Sequence, residues 1–120
     1  MLMLLNPRRM DIEPVAAEAL ADTGANYLII PEHIQMQLQL EQVETREVTL
    51  ADGSRRMLAY VGPVQVRFKN RTGFFGALVM GDEVLLGAIP MEDMDLVVVP
   101  KERRVDVNPE NPNYACGVVK

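Results

Sequence analysis

The sequence predicts an all-β domain with one or two short helices, on three observations. Eight glycines and eight prolines divide 120 residues into short stretches rich in Val, Leu, Ile and Met, spaced too closely for long helices. Asp52-Gly53 lies between two β-prone runs, the strongest short-range hairpin signal a sequence carries. Only one segment, Pro31 to Leu40, offers a helical alternative of any length.

Met1 to Leu5 reads as a first strand closed by the Asn6-Pro7 turn, Val15 to Ala21 as a second, and Tyr27 to Ile30 as a third that Pro31 ends. In "PEHIQMQLQL", proline in the first turn and Glu32 near the positive end suit a short helix, while the alternation from Ile34 to Leu40 also suits a strand. Thr45 to Ala51 and Met57 to Val61 flank the Asp52 turn and form a projecting hairpin. Val64 to Lys69 and Phe74 to Met80 pair through the turn "NRTG", and "GDE" leads into "VLLGAIP". Leu96 to Val99 is a further buried strand, Asn108 to Asn113 is Pro- and Asn-rich coil, and Ala115 to Val119 is a last short strand. No repeat and no boundary interrupts the chain, so residues 1–120 are expected to form one domain. The end segments "MLMLL" and "ACGVV" read as apolar edge strands with no cover in their own subunit, and are expected to pair across a subunit interface.

Composition excludes several function classes. With 48% hydrophobic and 24% charged residues the chain has a globular balance rather than a disordered one. A net charge of −5, with Arg55-Arg56 and Arg103-Arg104 as isolated solvated pairs, leaves no basic face to neutralise phosphates, so no nucleic-acid partner is expected. No apolar run approaches the ~20 residues of a membrane helix, and the N-terminal apolar stretch precedes its arginines, unlike a secretory signal. No membrane partner is expected. Cys116 is the only cysteine, which excludes an intrachain disulfide and suits a cytoplasmic location; it reads as a small apolar strand residue. His33 is the only histidine and reads as exposed, so no Ser-His or Cys-His pair and no multi-His metal site can form. Glu92, Asp93 and Asp95 lack the glycine and spaced oxygen ligands of a calcium loop and read as solvated turn. No Gly-rich nucleotide fingerprint is present, and neither a metal nor a cofactor is expected.

One acidic residue stands out against this background. In "ALADTGANYLIIP", Asp22 separates two apolar strands, where a carboxylate is costly to bury unless it has partners or a task. Asp-Thr-Gly alone is mostly turn chemistry. Further on, however, "VLLGAIP" repeats the form of two large apolar residues followed by glycine, and the Asp-Gly hairpin lies between them. Asp22-Thr23-Gly24-Ala25, Asp52-Gly53-Ser54 and Leu85-Leu86-Gly87, in this order, resemble the retroviral-type single-domain aspartic proteases. The likeness runs across most of the chain and is nearest to the prokaryotic branch of that clan, through "PEHI", "LADGSRR" and "LLGAIPMEDMDLVV".

The resemblance implies a small closed acid-protease barrel, functional as a two-fold homodimer and acting as an aspartic endopeptidase on peptide or protein substrates. It implies a catalytic loop of Asp22, Thr23 and Gly24, in which the Thr23 hydroxyl bonds across the axis and Gly24 lets the backbone approach the substrate. Ala25, Asn26 and the flap residues Asp52, Gly53 and Ser54 would bind substrate. Leu85, Leu86 and Gly87 would pack beneath the Asp loop and fix its shape. Two departures alter specificity: Asn26 and Tyr27 stand where the viral enzymes carry acidic residues, and the flap has only Gly53 at its tip, with Arg55 and Arg56 beside it. A stiffer flap with a taste for acidic or polar peptides is the expectation.

The chemistry explains why so short a chain suffices. Hydrolysis of an amide by water needs one ionised carboxylate to take a proton and one neutral carboxylic acid to polarise the carbonyl, close enough to share a proton. One chain supplies only Asp22; an isologous dimer supplies its second copy. Two rivals compete. The same dimeric barrel could be a catalytically weak or inactive module that binds extended peptides by strand addition. A phospho-aspartyl enzyme would want alternating strands and helices and a second acid two positions after the first, where this chain has Gly24.

Overall fold

The computed structural model describes residues 1–119. Its strands are β1 (Leu2–Leu5), β2 (Val15–Ala17), β3 (Ala19–Ala21), β4 (Leu28–Ile30), β5 (Gln42–Thr49), β6 (Arg55–Phe68), β7 (Arg71–Val79), β8 (Val84–Leu86), β9 (Leu96–Val99) and β10 (Arg104–Val107). Helices α1 (Glu32–Leu38) and α2 (Ala88–Asp93) interrupt them. The molecule is thus mostly β with two short helices, as the punctuation predicts.

Eight strands form one sheet in the order β2-β1-β6-β7-β4-β8-β3, with β5 added to β6. The two ends of that order, β2 and β3, are separated in the chain only by Glu18, so the sheet wraps round into a nearly closed barrel. The expectation of a single strand from Val15 to Ala21 is therefore corrected: the run changes partners at Glu18, with β2 pairing β1 and β3 pairing β8. Inside the wrap lies the main core, including Leu4, Ile30, Val61, Val64, Val66 and Leu86, all fully buried.

Several expectations change for identifiable reasons. Gly62-Pro63 does not end a strand; β6 runs through it with only a register shift against β7, because its N-terminal half serves the hairpin with β5 and its C-terminal half serves the barrel with β1. The strand-or-helix ambiguity resolves to α1, whose Ile34 and Leu38, one turn apart, are buried against the core. Pro31 precedes it in an extended conformation, and Gln39 ends it in the left-handed region with φ 52°. The buried side chain of Asn6 then donates to the carbonyls of Leu38 at 2.9 Å and Gln39 at 3.3 Å, satisfying groups the helix end leaves open. "VLLGAIP" is strand only as far as Leu86; Gly87 caps α2, and Ile89 and Pro90 belong to that helix.

Both chain ends also depart from the edge-strand expectation. β1 is an interior strand, paired with β2 on one side and β6 on the other, and Leu2, Leu4 and Leu5 fill the core. Ala115 to Val119 forms no strand in the single chain, where Val118 and Val119 are 86% and 97% exposed. β9 instead pairs with β10, a strand the sequence conceals among charges, and this two-stranded sheet flanks β3, where the Ala21 N–H donates to the Arg103 carbonyl at 2.7 Å. Among the described residues no helix is long and apolar enough to cross a membrane.

Candidate active site

Strand β8 lies between β3 and β4, parallel to the first and antiparallel to the second, with Leu86 opposite both Ala21 and Leu28. The loop that joins β3 to β4, residues 22–27, must therefore arch over the end of β8. Four backbone hydrogen bonds tie it there. The Asp22 N–H donates to the Leu86 carbonyl at 2.9 Å, and the N–H groups of Gly87, Ala88 and Ile89 donate to the carbonyls of Tyr27, Ala25 and Asn26 at 3.0, 2.8 and 3.0 Å. Only glycine permits this approach at position 87, since a Cβ there would lie 2.5 Å from the Tyr27 oxygen and 2.6 Å from the Asn26 carbonyl carbon.

The loop begins in a tight turn. Asp22 Oδ1 accepts the Gly24 N–H at 3.2 Å, and the Asp22 carbonyl accepts the Ala25 N–H at 3.1 Å. Asp22 is half-buried in one chain, while Thr23, Gly24 and Asn26 are exposed. The carboxylate is thus at the rim of the apolar layer rather than within it, and among the described residues it has no basic partner.

A groove of about 700 Å³ separates the Asp22 loop from the β5–β6 hairpin. Asp22, Gly24, Ala25 and Asn26 line its loop side, Ile29, Leu78 and Leu85 its floor, and Val48, Leu50 and Leu58 the hairpin side. The alternation of β8 divides its two leucines: Leu85 faces the groove, and Leu86 is buried beneath the loop. Glu47, the other acidic residue on the groove, is engaged by Arg55 at 3.3 Å.

The hairpin tip stands away from the groove in the single chain. Asp52, Gly53 and Ser54 are exposed and do not line the groove. Their polar groups serve the turn: Gly53, at φ 85°, donates to the Leu50 carbonyl at 2.9 Å, and Asp52 Oδ1 accepts the Ser54 N–H at 2.9 Å and the Ser54 hydroxyl. The Ser54 hydroxyl first, then its N–H, hold the Asp52 carboxyl below the usual range. The hairpin arms, not its tip, face the Asp22 loop.

Two clusters escape sequence reasoning. Arg46 lies over the Tyr60 ring, 3.6 Å from its centroid, and 5.6 Å from that of Tyr27, while its Nη2 donates to Glu44 at 3.3 Å. Behind the barrel, Arg71 is buried on β7 and donates to the Asn111 carbonyl at 2.6 Å and to Asn70 Oδ1 at 3.3 Å. Asp95 sits 3.9 Å from it and accepts from Asn108 at 3.0 Å, Asn111 at 2.7 Å and the Cys116 N–H at 3.1 Å. Those bonds, from Asn108, Cys116 and Asn111, hold the Asp95 carboxyl below its usual range. Asp95 is therefore not solvated turn but the post to which residues 108–116 are fastened, and Cys116 is an exposed coil residue, not a strand residue. The signal for Arg71 is the strand alternation, which places it on the inward face with Gly73. Among the described residues no group of three or more His, Cys, Asp or Glu is placed to hold a metal ion.

Compared with known proteins, the chain matches no protein-family model and no curated sequence.

Proposed function

We propose that this chain is one half of a homodimeric aspartic endopeptidase of the retroviral type, with one Asp22 carboxyl from each subunit activating the water that hydrolyses a peptide bond. One observation carries the reading: the loop of residues 22–27, which opens with the Asp22-Thr23-Gly24 turn, is held by four backbone bonds over the end of β8 and faces a hairpin across a largely apolar groove. A groove of this kind suits an extended peptide whose alternate side chains meet Ile29, Leu78 and Leu85. Thr23 and Gly24 are uncovered in the single chain, which suits a second copy of the loop across a two-fold axis.

In this mechanism the ionised Asp22 takes a proton from water as the oxygen attacks the scissile carbonyl. The neutral Asp22 of the second subunit gives its proton to the carbonyl oxygen. Collapse of the tetrahedral diol passes a proton to the leaving amine and restores the singly protonated pair. The rate should follow a bell-shaped pH profile whose limbs belong to the pair and to neither subunit alone. Because the fold depends on no disulfide, the reading places the enzyme in the cytoplasm.

The test is hydrolysis of an unstructured peptide library by the parent and by Asp22→Asn, with chelator and thiol blocker present. The parent should cleave; the variant, nearly isosteric but unable to act as a base, should lose cleavage and keep its unfolding temperature. Cleavage by Asp22→Asn near the parent rate would place the chemistry elsewhere. A parent that binds extended peptides without cleaving them would favour the binding-module reading.

A further inference from the structure

The groove does not end at the Asp22 loop. Tyr27 lines it and also lines a second hollow of about 430 Å³, next along the barrel wall. Among the described residues Arg46 is the only charged one lining that hollow. It projects from the same face of β5 as Val48, two residues on, which lines the groove. Groove and hollow therefore adjoin at Tyr27 along the hairpin, the groove lined by apolar side chains near Asp22 and the hollow carrying the cation.

The cation is placed with some rigidity. Tyr60 carries the guanidinium on its ring face, and Tyr27 meets Tyr60 edge to face, with centroids 6.3 Å apart. Tyr60 itself lies across β7 at Gly76, where any Cβ would overlap its ring. The Arg46 side chain is 32% exposed, and its only carboxylate neighbour, Glu44, is 51% exposed and meets Nη2 alone. The rest of the planar fork is thus uncommitted to a carboxylate. Beside it stand Phe74 and Ile89, 58% and 53% exposed, an apolar rim on which a short aliphatic stem can rest. Arg55, by contrast, has a side chain 74% exposed and lines neither the groove nor the hollow.

We propose that this hollow is a subsite for an acidic side chain of the bound peptide, a Glu or Asp whose carboxylate docks on Arg46 while its methylenes lie against Phe74 and Ile89. The inference rests on the groove being a peptide site, and it names the substrate class: extended peptides with an acidic residue to one side of the bond presented to Asp22. A guanidinium–carboxylate contact supported by two tyrosine rings, yet a third exposed, favours the acid over its amide by about tenfold.

The experiment scans amidated peptides in which each position in turn is Glu or Gln, so that only side chains supply carboxylates. Two quantities are read: the Glu-to-Gln ratio of kcat/KM with the parent, and the same ratio of Kd with Asp22→Asn as a non-hydrolysing trap. One position should prefer Glu by about tenfold in both, more weakly at high salt. Arg46→Gln should bring that ratio to one, Arg46→Glu should bring it below one, and Glu44→Gln, by removing the competing carboxylate, should raise it. A ratio near one in the parent, or an unchanged preference in Arg46→Gln that still unfolds cooperatively, overturns the subsite. If no peptide is cleaved in an Asp22-dependent way, the peptidase reading fails and the Kd ratio alone decides the subsite. Absence of peptide binding overturns it as well.

Discussion

Replacing Gly87 with alanine tests the joint that holds the Asp22 loop. A Cβ at this position would lie 2.5 Å from the Tyr27 oxygen, against 3.4 Å or more in ordinary contact, so the loop must retreat by about 0.9 Å (3.4 − 2.5). A retreat of that size lengthens the bonds from Gly87, Ala88 and Ile89, now 3.0, 2.8 and 3.0 Å, beyond useful range. Three such bonds contribute about 1 kcal/mol each. Gly87 has φ −81°, which alanine adopts without strain, so the restricted unfolded chain offsets about 0.4–1 kcal/mol. The net loss is about 2 kcal/mol. In urea, monitored by far-UV circular dichroism at fixed protein concentration, the midpoint should fall by about 1 M for an m-value of about 2 kcal/mol/M. Peptidase activity should fall further, by about a hundredfold, because a shift approaching 1 Å misplaces the reacting carboxyl. Gly117→Ala, where an added Cβ meets nothing within 4 Å, is the control and should stay within about 0.5 kcal/mol. A Gly87→Ala protein with the parent midpoint and parent activity would refute the claim that this close approach holds the loop.

Other predictions concern the two ends of the chain. The Asp95 carboxyl is held below its ordinary range chiefly by Asn108, Cys116 and Asn111, so its contribution is fully present at neutral pH and is lost as pH falls through the depressed folded value. Asp95→Asn should therefore flatten the acid side of the curve of unfolding temperature against pH; superimposable acid limbs for parent and variant would contradict this. Deleting Met1 to Leu5 removes an interior strand and three buried leucines, worth about 5–9 kcal/mol at about 1.5–3 each, which is comparable with the whole stability of a small domain. The truncated chain should be unfolded by circular dichroism and not a folded monomer; a cooperative unfolding transition would overturn that.

What the sequence discloses, and what it hides, follows from how local each feature is. Asp52-Gly53 announces its hairpin because the turn is made by the residues that signal it. The order of Asp22-Thr23-Gly24 and Leu85-Leu86-Gly87 points to a coupled pair of segments, and in the structure Gly87 does lie against the backbone of residues 26 and 27. Features set by distant partners stay hidden. Nothing in "VAAEALA" marks Glu18 as the seam where the sheet changes partners, because closure of the barrel decides it. Gly62-Pro63 looks like an end but is tolerated within β6, where the pairing shifts register around it. β10 carries Arg104 and Asp106 on its outward positions and finds its place only by pairing with β9. The apolar tail looks like a strand by composition, yet in the single chain it pairs with no strand. At the site, the hairpin tip was legible as a turn, whereas the groove residues Val48, Leu50 and Leu58, and Arg46 beyond them, emerge only when the arms fold over the Asp22 loop.

The most direct test of the central claim mixes subunits. Parent and Asp22→Asn chains are unfolded together, refolded at varying ratios and fixed total concentration, and assayed on a cleavable peptide. If hydrolysis needs one Asp22 from each of two subunits, random pairing makes the rate follow the square of the parent fraction. An equal mixture should then retain about one quarter of the parent rate. A linear decline, with about one half retained, would mean that a single Asp22 suffices in each chain and would contradict the shared carboxyl pair.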